Sequence, residues 1–200
     1  MIVKILFIND GKYKMCETDK FIQLLKDNNH DELEKIYIKH KWLDNIDFKK
    51  VYQAIKDIEN KDDYIHNIFG LMYKYGNGVE KDYAKALHYY RLAAKQGSNR
   101  AQRNLGRMYQ KGYGVEIDYA KALRYFQLSA EQNDSFAQHG LVVMYCYSRG
   151  VEQNYTKAFH YCQLSAEQGN SFAQDSLKFL LQKEEVQQLL RRRIKPCRQA

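Results

Sequence analysis

Apolar residues fall at helical intervals along most of this chain, and from residue 65 onward the pattern of intervals itself recurs. Ile65, Phe69, Met72 and Tyr73 are spaced i, i+4, i+7 and i+8, which is one stripe on a helix. Tyr83, Ala86, Leu87, Tyr90 and Ala94 make the stripe of a second helix. Between them stands YGNGVEKD, whose glycines accept the positive φ that ends one helix and turns the chain back. Asp82 follows where an N-cap belongs, and Asp118 and Asn154 occupy the same place further on. The predicted unit is a helical hairpin.

The hairpin is written three times. GVEKDYAKAL at 78–87 returns as GVEIDYAKAL at 114–123 and as GVEQNYTKAF at 150–159. The blocks are 65–100, 101–136 and 137–172, and a partial fourth covers 173–182. A period of 36 residues is the mark of an array in which each unit buries its apolar face against its neighbours. Ala86, Ala93 and Ala94, with Ala122, Ser129, Ala130, Ala158, Ser165 and Ala166, keep the second helix small-sided for close packing. The loop glycines Gly76, Gly78, Gly112, Gly114 and Gly150 are the structural turn residues. The third block departs from the pattern, with Ser148 in place of the first loop glycine, Val142 in place of Gly106 and Cys162 in place of an aromatic residue. That hairpin is expected to turn or pack a little differently.

The G-x-G-V loop, the D-Y-x-K-A-x-x-Y-Y-x-x-A-A-x-x-G of the second helix and the A-x-x-x-L-G-x-M-Y of the first resemble Sel1-like repeats, relatives of the tetratricopeptide repeat. The resemblance covers residues 65 to about 182. It implies an all-α fold, an α/α solenoid of about three and a half 36-residue helical hairpins closed by helical caps. It also implies use as a protein-interaction scaffold or adaptor, with the first helices lining the concave surface. Cysteine-rich proteins of similar sequence, linked to penicillin binding, carry a regular disulfide in each repeat. The paired cysteines are missing here, so that activity is not carried over.

Outside the array, residues 183–200 lose the loop signature, and KEEVQQLLRRRIK reads as a capping helix with Val186, Leu189, Leu190 and Ile194 inward, followed by a basic tail. Residues 1–64 show the stripes Phe21, Leu24, Leu25; Leu33, Ile36, Tyr37; and Val51, Ile55, Ile58, with Thr18, Asp31 and Asp47 as N-caps. Two readings stand for this segment. It is a mostly helical cap of divergent repeats, or a small separate module opening on a strand at MIVKILFI.

Charge and chemistry change this picture little. The net charge is +8, and the basic excess lies in the repeats and the tail: residues 1–64 hold 12 basic against 13 acidic side chains, residues 65–172 hold 13 against 8, and 173–200 hold 7 against 3. Such a balance favours acidic partners, anionic lipid or nucleic acid without deciding a function. The opening apolar run is too short for a signal peptide and no window reaches the length of a membrane span, so a cytoplasmic chain with no membrane partner is expected. Cys16, Cys146, Cys162 and Cys197 lack CxxC spacing and are read as reduced thiols.

His30, His40, His66, His88, His139 and His160 form no HxxxH or HExxH pattern, and His88 and His160 share an outer position on the second helix. No phosphate-binding loop is present either. No catalytic residue, metal site or cofactor is expected, and the chain is read as not an enzyme. Most of the seventeen tyrosines, typified by Tyr73, Tyr109 and Tyr145 and by Tyr83, Tyr119 and Tyr155, sit at repeated stripe positions and are read as core.

Residues that change between blocks while their neighbours stay fixed are the candidates for meeting a partner. On the first helix these are Asn67, Leu71 and Lys74; Arg103, Arg107 and Gln110; and His139, Val143 and Cys146, each trio spaced i, i+4, i+7. The reading is a concave face that binds a partner protein or peptide of acidic or mixed character, with Lys74, Arg103 and Arg107 supplying charge-assisted hydrogen bonds. The alternative is sequence-independent nucleic-acid binding through the basic repeats and the RRRIK tail at 191–195 with Arg198.

Overall fold

The structure is a computed structural model that describes residues 7–9, 12–14, 17–27, 29, 46–58 and 61–194. The expectations for Asp31, Leu33, Ile36, Tyr37, His30, His40, Cys16, Cys197 and the tail from Lys195 lie outside those residues. The chain divides into two compact units, residues 1–93 and 94–200.

The first unit begins with β1 (Phe7–Asn9) and β2 (Lys12–Lys14), an antiparallel pair with Ile8 opposite Tyr13. Helices α1 (Glu17–Lys26), α2 (Phe48–Ile55), α3 (Asp63–Tyr75) and most of α4 (Tyr83–Lys95) follow. Phe21 and Leu25 of α1, Val51 and Ile55 of α2, and Ile65, Phe69 and Met72 of α3 join in one core. Thr18, expected as a cap, lies in the first turn of α1 instead, and its hydroxyl accepts the Asp47 N–H at 3.0 Å. Asp47 itself is the cap expected of it: its carboxylate accepts the Lys50 N–H at 3.0 Å.

That cap reveals a relationship. Asp47-Phe48-Lys49-Lys50 has the D-[FY]-x-K form of Asp82-Tyr83-Ala84-Lys85 and Asp118-Tyr119-Ala120-Lys121, where Asp82 and Asp118 each accept the corresponding lysine N–H at 2.9 Å. The loop glycine Gly78 abuts the backbone of Phe48, the first residue of α2, as Gly150 abuts the backbone of Tyr119 at the start of a later second helix. Helix α2 thus stands where the second helix of a preceding repeat would stand.

The second unit contains α5 (Asn99–Lys111), α6 (Tyr119–Glu131), α7 (Ser135–Cys146), α8 (Tyr155–Glu167), α9 (Ser171–Leu180) and α10 (Glu184–Ile194). Helices α5 and α6 form one hairpin and α7 and α8 the next; α6 packs on α7, and α8 packs on both α9 and α10. Leu105, Met108, Leu141, Met144 and Leu180 are fully buried along the first-helix positions. The small second-helix residues Ala122, Ser129, Ala158 and Ser165 are fully buried too. Each serine is satisfied across its hairpin, Ser129 Oγ donating to the Asn99 carbonyl at 2.8 Å and Ser165 Oγ to the Ser135 carbonyl at 2.6 Å. In α10, Val186 is fully buried, while Leu189 and Leu190 pack partly buried against the same core.

The five turn glycines all have positive φ, between 68° and 77°. Their turns repeat one hydrogen-bond scheme, in which Asn77, Tyr113 and Arg149 N–H groups return to the carbonyls of Met72, Met108 and Met144 at 3.0–3.1 Å. Ser148 keeps the scheme despite its side chain, with φ of 53° and its hydroxyl bonded to the Val151 carbonyl at 3.0 Å. The third hairpin therefore turns like the others. Its packing differs: Gly106 leaves room for Phe126, whereas Val142 and Cys162, both buried, exchange the bulk between the two helices.

Candidate functional site

Tyrosine and lysine build a clamp at the loop end of every hairpin. Tyr73 stacks on Tyr89 at 5.6 Å and 3°, Tyr109 on Tyr125 at 5.8 Å and 4°, and Tyr145 on Tyr161 at 6.0 Å and 7°. The ammonium groups of Lys85, Lys121 and Lys157 lie 5.2–5.5 Å from the first ring of each pair. Tyr73, Tyr109 and Tyr145 are buried, and their carbonyls accept the N–H of Asp82, Asp118 and Asn154 at 2.8–3.1 Å. Burial, with Tyr52 hydrogen-bonded at 3.1 Å, pushes the Tyr73 phenol well above its ordinary range. These rings are core, as their recurrence suggests. The three lysines lie over these rings while remaining exposed, and Lys85 and Lys121 also pair with Asp82 and Asp118.

The partner candidates divide by burial. In α3, Asn67 and Lys74 are buried and Leu71 is half-buried. In α5, Arg103 is nearly sealed: its guanidinium meets the Asp134 carboxylate at 2.5 Å and lies 5.4 Å from the Phe136 ring. Asp134 also caps α7 by accepting the Ala137 N–H at 2.8 Å. Gln110 reaches the Met144 sulfur at 3.6 Å. His139 bonds Ser176 at 3.1 Å and lies 6.0 Å from Phe172, with burial lowering its pKa. Val143 is half-buried and Cys146 buried, leaving Arg107 as the exposed member of the α5 trio.

The cause is angular. At about 100° per residue, Arg103 and Gln110 stand ~40° and ~60° to one side of Arg107, toward the next first helix. Arg100 and Lys111 stand ~20° and ~40° to the other side, toward solvent. The open row of the second unit therefore runs through Arg107 and the exposed Lys111 on α5, through Phe136 and Tyr147 at the two ends of α7, and through Phe172 on α9. Phe136, Phe172 and Tyr147 are 52%, 61% and 63% exposed in a chain that buries most of its aromatic bulk. Selection by variability alone misses these residues. The signal that finds them is a large aromatic at i and i+11, as Phe136 and Tyr147, with Phe172 recurring 36 residues after Phe136.

Other chemistry is sparse among the described residues. Cys146 and Cys162 are free thiols whose burial pushes both pKa values up to about 11. His88 and His160 are exposed on the second helices. No group of three His, Cys, Asp or Glu side chains is placed to hold a metal among the described residues. None of the helices among them is long and apolar enough to cross a membrane. A cleft of about 410 Å³ in the first unit is lined by Lys49, Tyr52, Tyr73, Lys81, Asp82 and Lys85, and is the outer wall of the first clamp.

The Sel1 repeat profile matches residues 67–98, 99–134 and 135–170 in succession. The chain belongs to the Sel1 repeat family. Among solved structures it is similar to a Sel1 repeat protein from Oxalobacter formigenes, at 23% identity and a TM-score of 0.66 over 85% of this chain and 61% of that one. It is also similar to a protective antigen present in uropathogenic Escherichia coli strains that displays an SLR fold, at 28% identity and a TM-score of 0.57 over 80% of this chain and 36% of the antigen. The chain thus spans less than two thirds of either relative's length. No curated protein matches it. Apart from the short β1–β2 pair the fold is all-α, a Sel1 repeat solenoid, and such repeats generally serve as protein-interaction scaffolds. This family typically supplies surface rather than catalysis.

Proposed function

We propose that this protein is a non-catalytic scaffold that holds a partner protein on the exposed row of its first helices, the side that the Sel1 resemblance makes concave. The observation that carries the reading is the exposure of Phe136, Tyr147 and Phe172 on α7 and α9, beside Arg107 and Lys111 on α5. Large aromatic side chains in solvent beside cations are the composition of an interface anchor. Arg103 is a structural bracket between α5 and α7, and Asn67, Lys74 and Cys146 are buried where a partner would not reach them.

The test is photocrosslinking in cells with benzoylphenylalanine in place of Tyr147. A discrete protein adduct is expected, lost when Arg107→Glu and Phe172→Ser are introduced together while the melting temperature holds. An adduct indifferent to that pair of substitutions, or the same adduct from a probe placed at His160 on the second helix, would remove this face from consideration.

A further inference from the structure

The open row of the second unit is not uniform from helix to helix. On α5 it is cationic, with Arg107 and Lys111 exposed. On α7 and α9 the positions are aromatic, with Phe136, Tyr147 and Phe172 more than half exposed. The three helices are adjacent in order, because Arg103 of α5 meets Asp134 at the cap of α7, and His139 of α7 meets Ser176 of α9. Neighbouring helix axes stand at least about 10 Å apart, so the cationic end and the far aromatic end are separated by roughly 20 Å or more. Arg103 and Asp134 neutralise each other at the seam, so the exposed cations of the row itself are Arg107 and Lys111 at its α5 end, while Arg149 lies against the Tyr147 ring.

Resting on the scaffold reading above, we infer that the occupant is one protein segment with a cluster of carboxylates at one end and large apolar side chains at the other. The carboxylates lie on α5, where exposed arginine and lysine favour them. The apolar side chains lie against Phe136 and Phe172, whose exposed faces offer area that only a nonpolar contact removes from water. About 20 Å corresponds to six residues of extended chain at ~3.3 Å each. The two ends must act together: neither two exposed cations nor a pair of exposed rings anchors a segment strongly alone.

The probe is a fluorescent peptide with four glutamates, a Gly-Ser spacer and a Leu-Phe-Leu triplet, read by anisotropy against the full chain. Affinity should rise as the spacer grows from one residue to about six, and decline slowly at about twenty as the effective concentration of the second end falls. Arg107→Glu with Lys111→Glu should weaken the six-residue probe about tenfold or more, and Phe172→Ser with Tyr147→Ser by a similar factor. Far-UV circular dichroism should not change in either variant, since all four side chains are exposed. A control peptide without glutamates should bind weakly and ignore the α5 variant.

Binding that ignores spacer length, or that falls in only one of the two variants, overturns the two-ended segment. So does an equal response to a single-stranded oligonucleotide, which would make the face a plain cationic surface, or self-association abolished by Phe172→Ser, which would make the occupant a second copy. If the Tyr147 crosslinker captures a cellular protein through this face while no probe binds, the scaffold reading survives and the partner chemistry inferred here is wrong. If neither occurs, both are wrong.

Discussion

Arg103 and His139 occupy equivalent positions in successive repeats, as do Asp134 and Asn170, and the two positions change together. Arg103 pairs with Asp134 in one seam; in the next, His139 turns to Ser176 while the Asn170 side-chain amide donates to the Ser135 carbonyl at 3.1 Å. Variation between repeats here records compensation inside the array. Arg103→Glu places a carboxylate against Asp134 with both side chains at most 12% exposed, and should cost about 3 kcal/mol in urea unfolding. Arg103→His with Asp134→Asn, which copies the next seam, should cost less than the sum of its parts. An additive result would mean the two positions are independent. His139 adds a pH dependence at the same scale. Burial lowers its pKa in the fold, so the unfolded chain binds the proton more readily. Its contribution to stability is complete above about pH 6.5 and is lost as pH falls through the lowered value. His139→Gln should therefore flatten the decline in melting temperature between about pH 7 and 5.

Within a hairpin, the informative departure is the exchange of bulk between helices. An added Cβ at Gly106 would lie 2.9 Å from the Phe126 ring, and so would one at Gly140. Phe126 is therefore held between its own first helix and the first helix of the following repeat. In the next hairpin the glycine position is Val142 and the aromatic position Cys162, both buried, so volume is conserved while its donor changes. Gly106→Val alone should destabilise by roughly 2 kcal/mol through overpacking, and adding Phe126→Cys should recover part of that loss, giving a coupling near 1 kcal/mol in a thermodynamic cycle. A cycle that closes with no coupling would mean the ring moves aside freely. The stripes, caps and turns of these elements were legible because each rests on local chemistry: asparagine or aspartate accepting an N–H, and glycine at positive φ. Ser148 in place of glycine suggests a slightly different turn; its hydroxyl bond to Val151, which keeps the turn, is not visible from residue type alone.

At the scale of the whole chain, the period announced the array, because stacking must be repeated for each unit to bury its face. The site was less legible. Variability selected the side of α5 turned toward α7, and separating that seam from open surface takes an angular resolution of ~40° that block alignment does not supply. The early region was opaque for another reason: α1 and α2 are separated by far more sequence than the repeat loop, although α2 keeps the D-[FY]-x-K cap. Division of the chain at residue 93 carries a final consequence. Stability in arrays is a sum of unit and nearest-neighbour terms, so a loss at one end spreads through the neighbours that share its core. Truncation after Leu181 removes α10 and with it Val186, which is fully buried in the core shared by α7, α8 and α9. Hydrogen exchange should accelerate in α9 and α8, less in α6 and α5, and remain unchanged in α1 to α3. Equal acceleration in every helix would show that the two units unfold as one. Unchanged exchange in α8 would show that the last helix caps nothing.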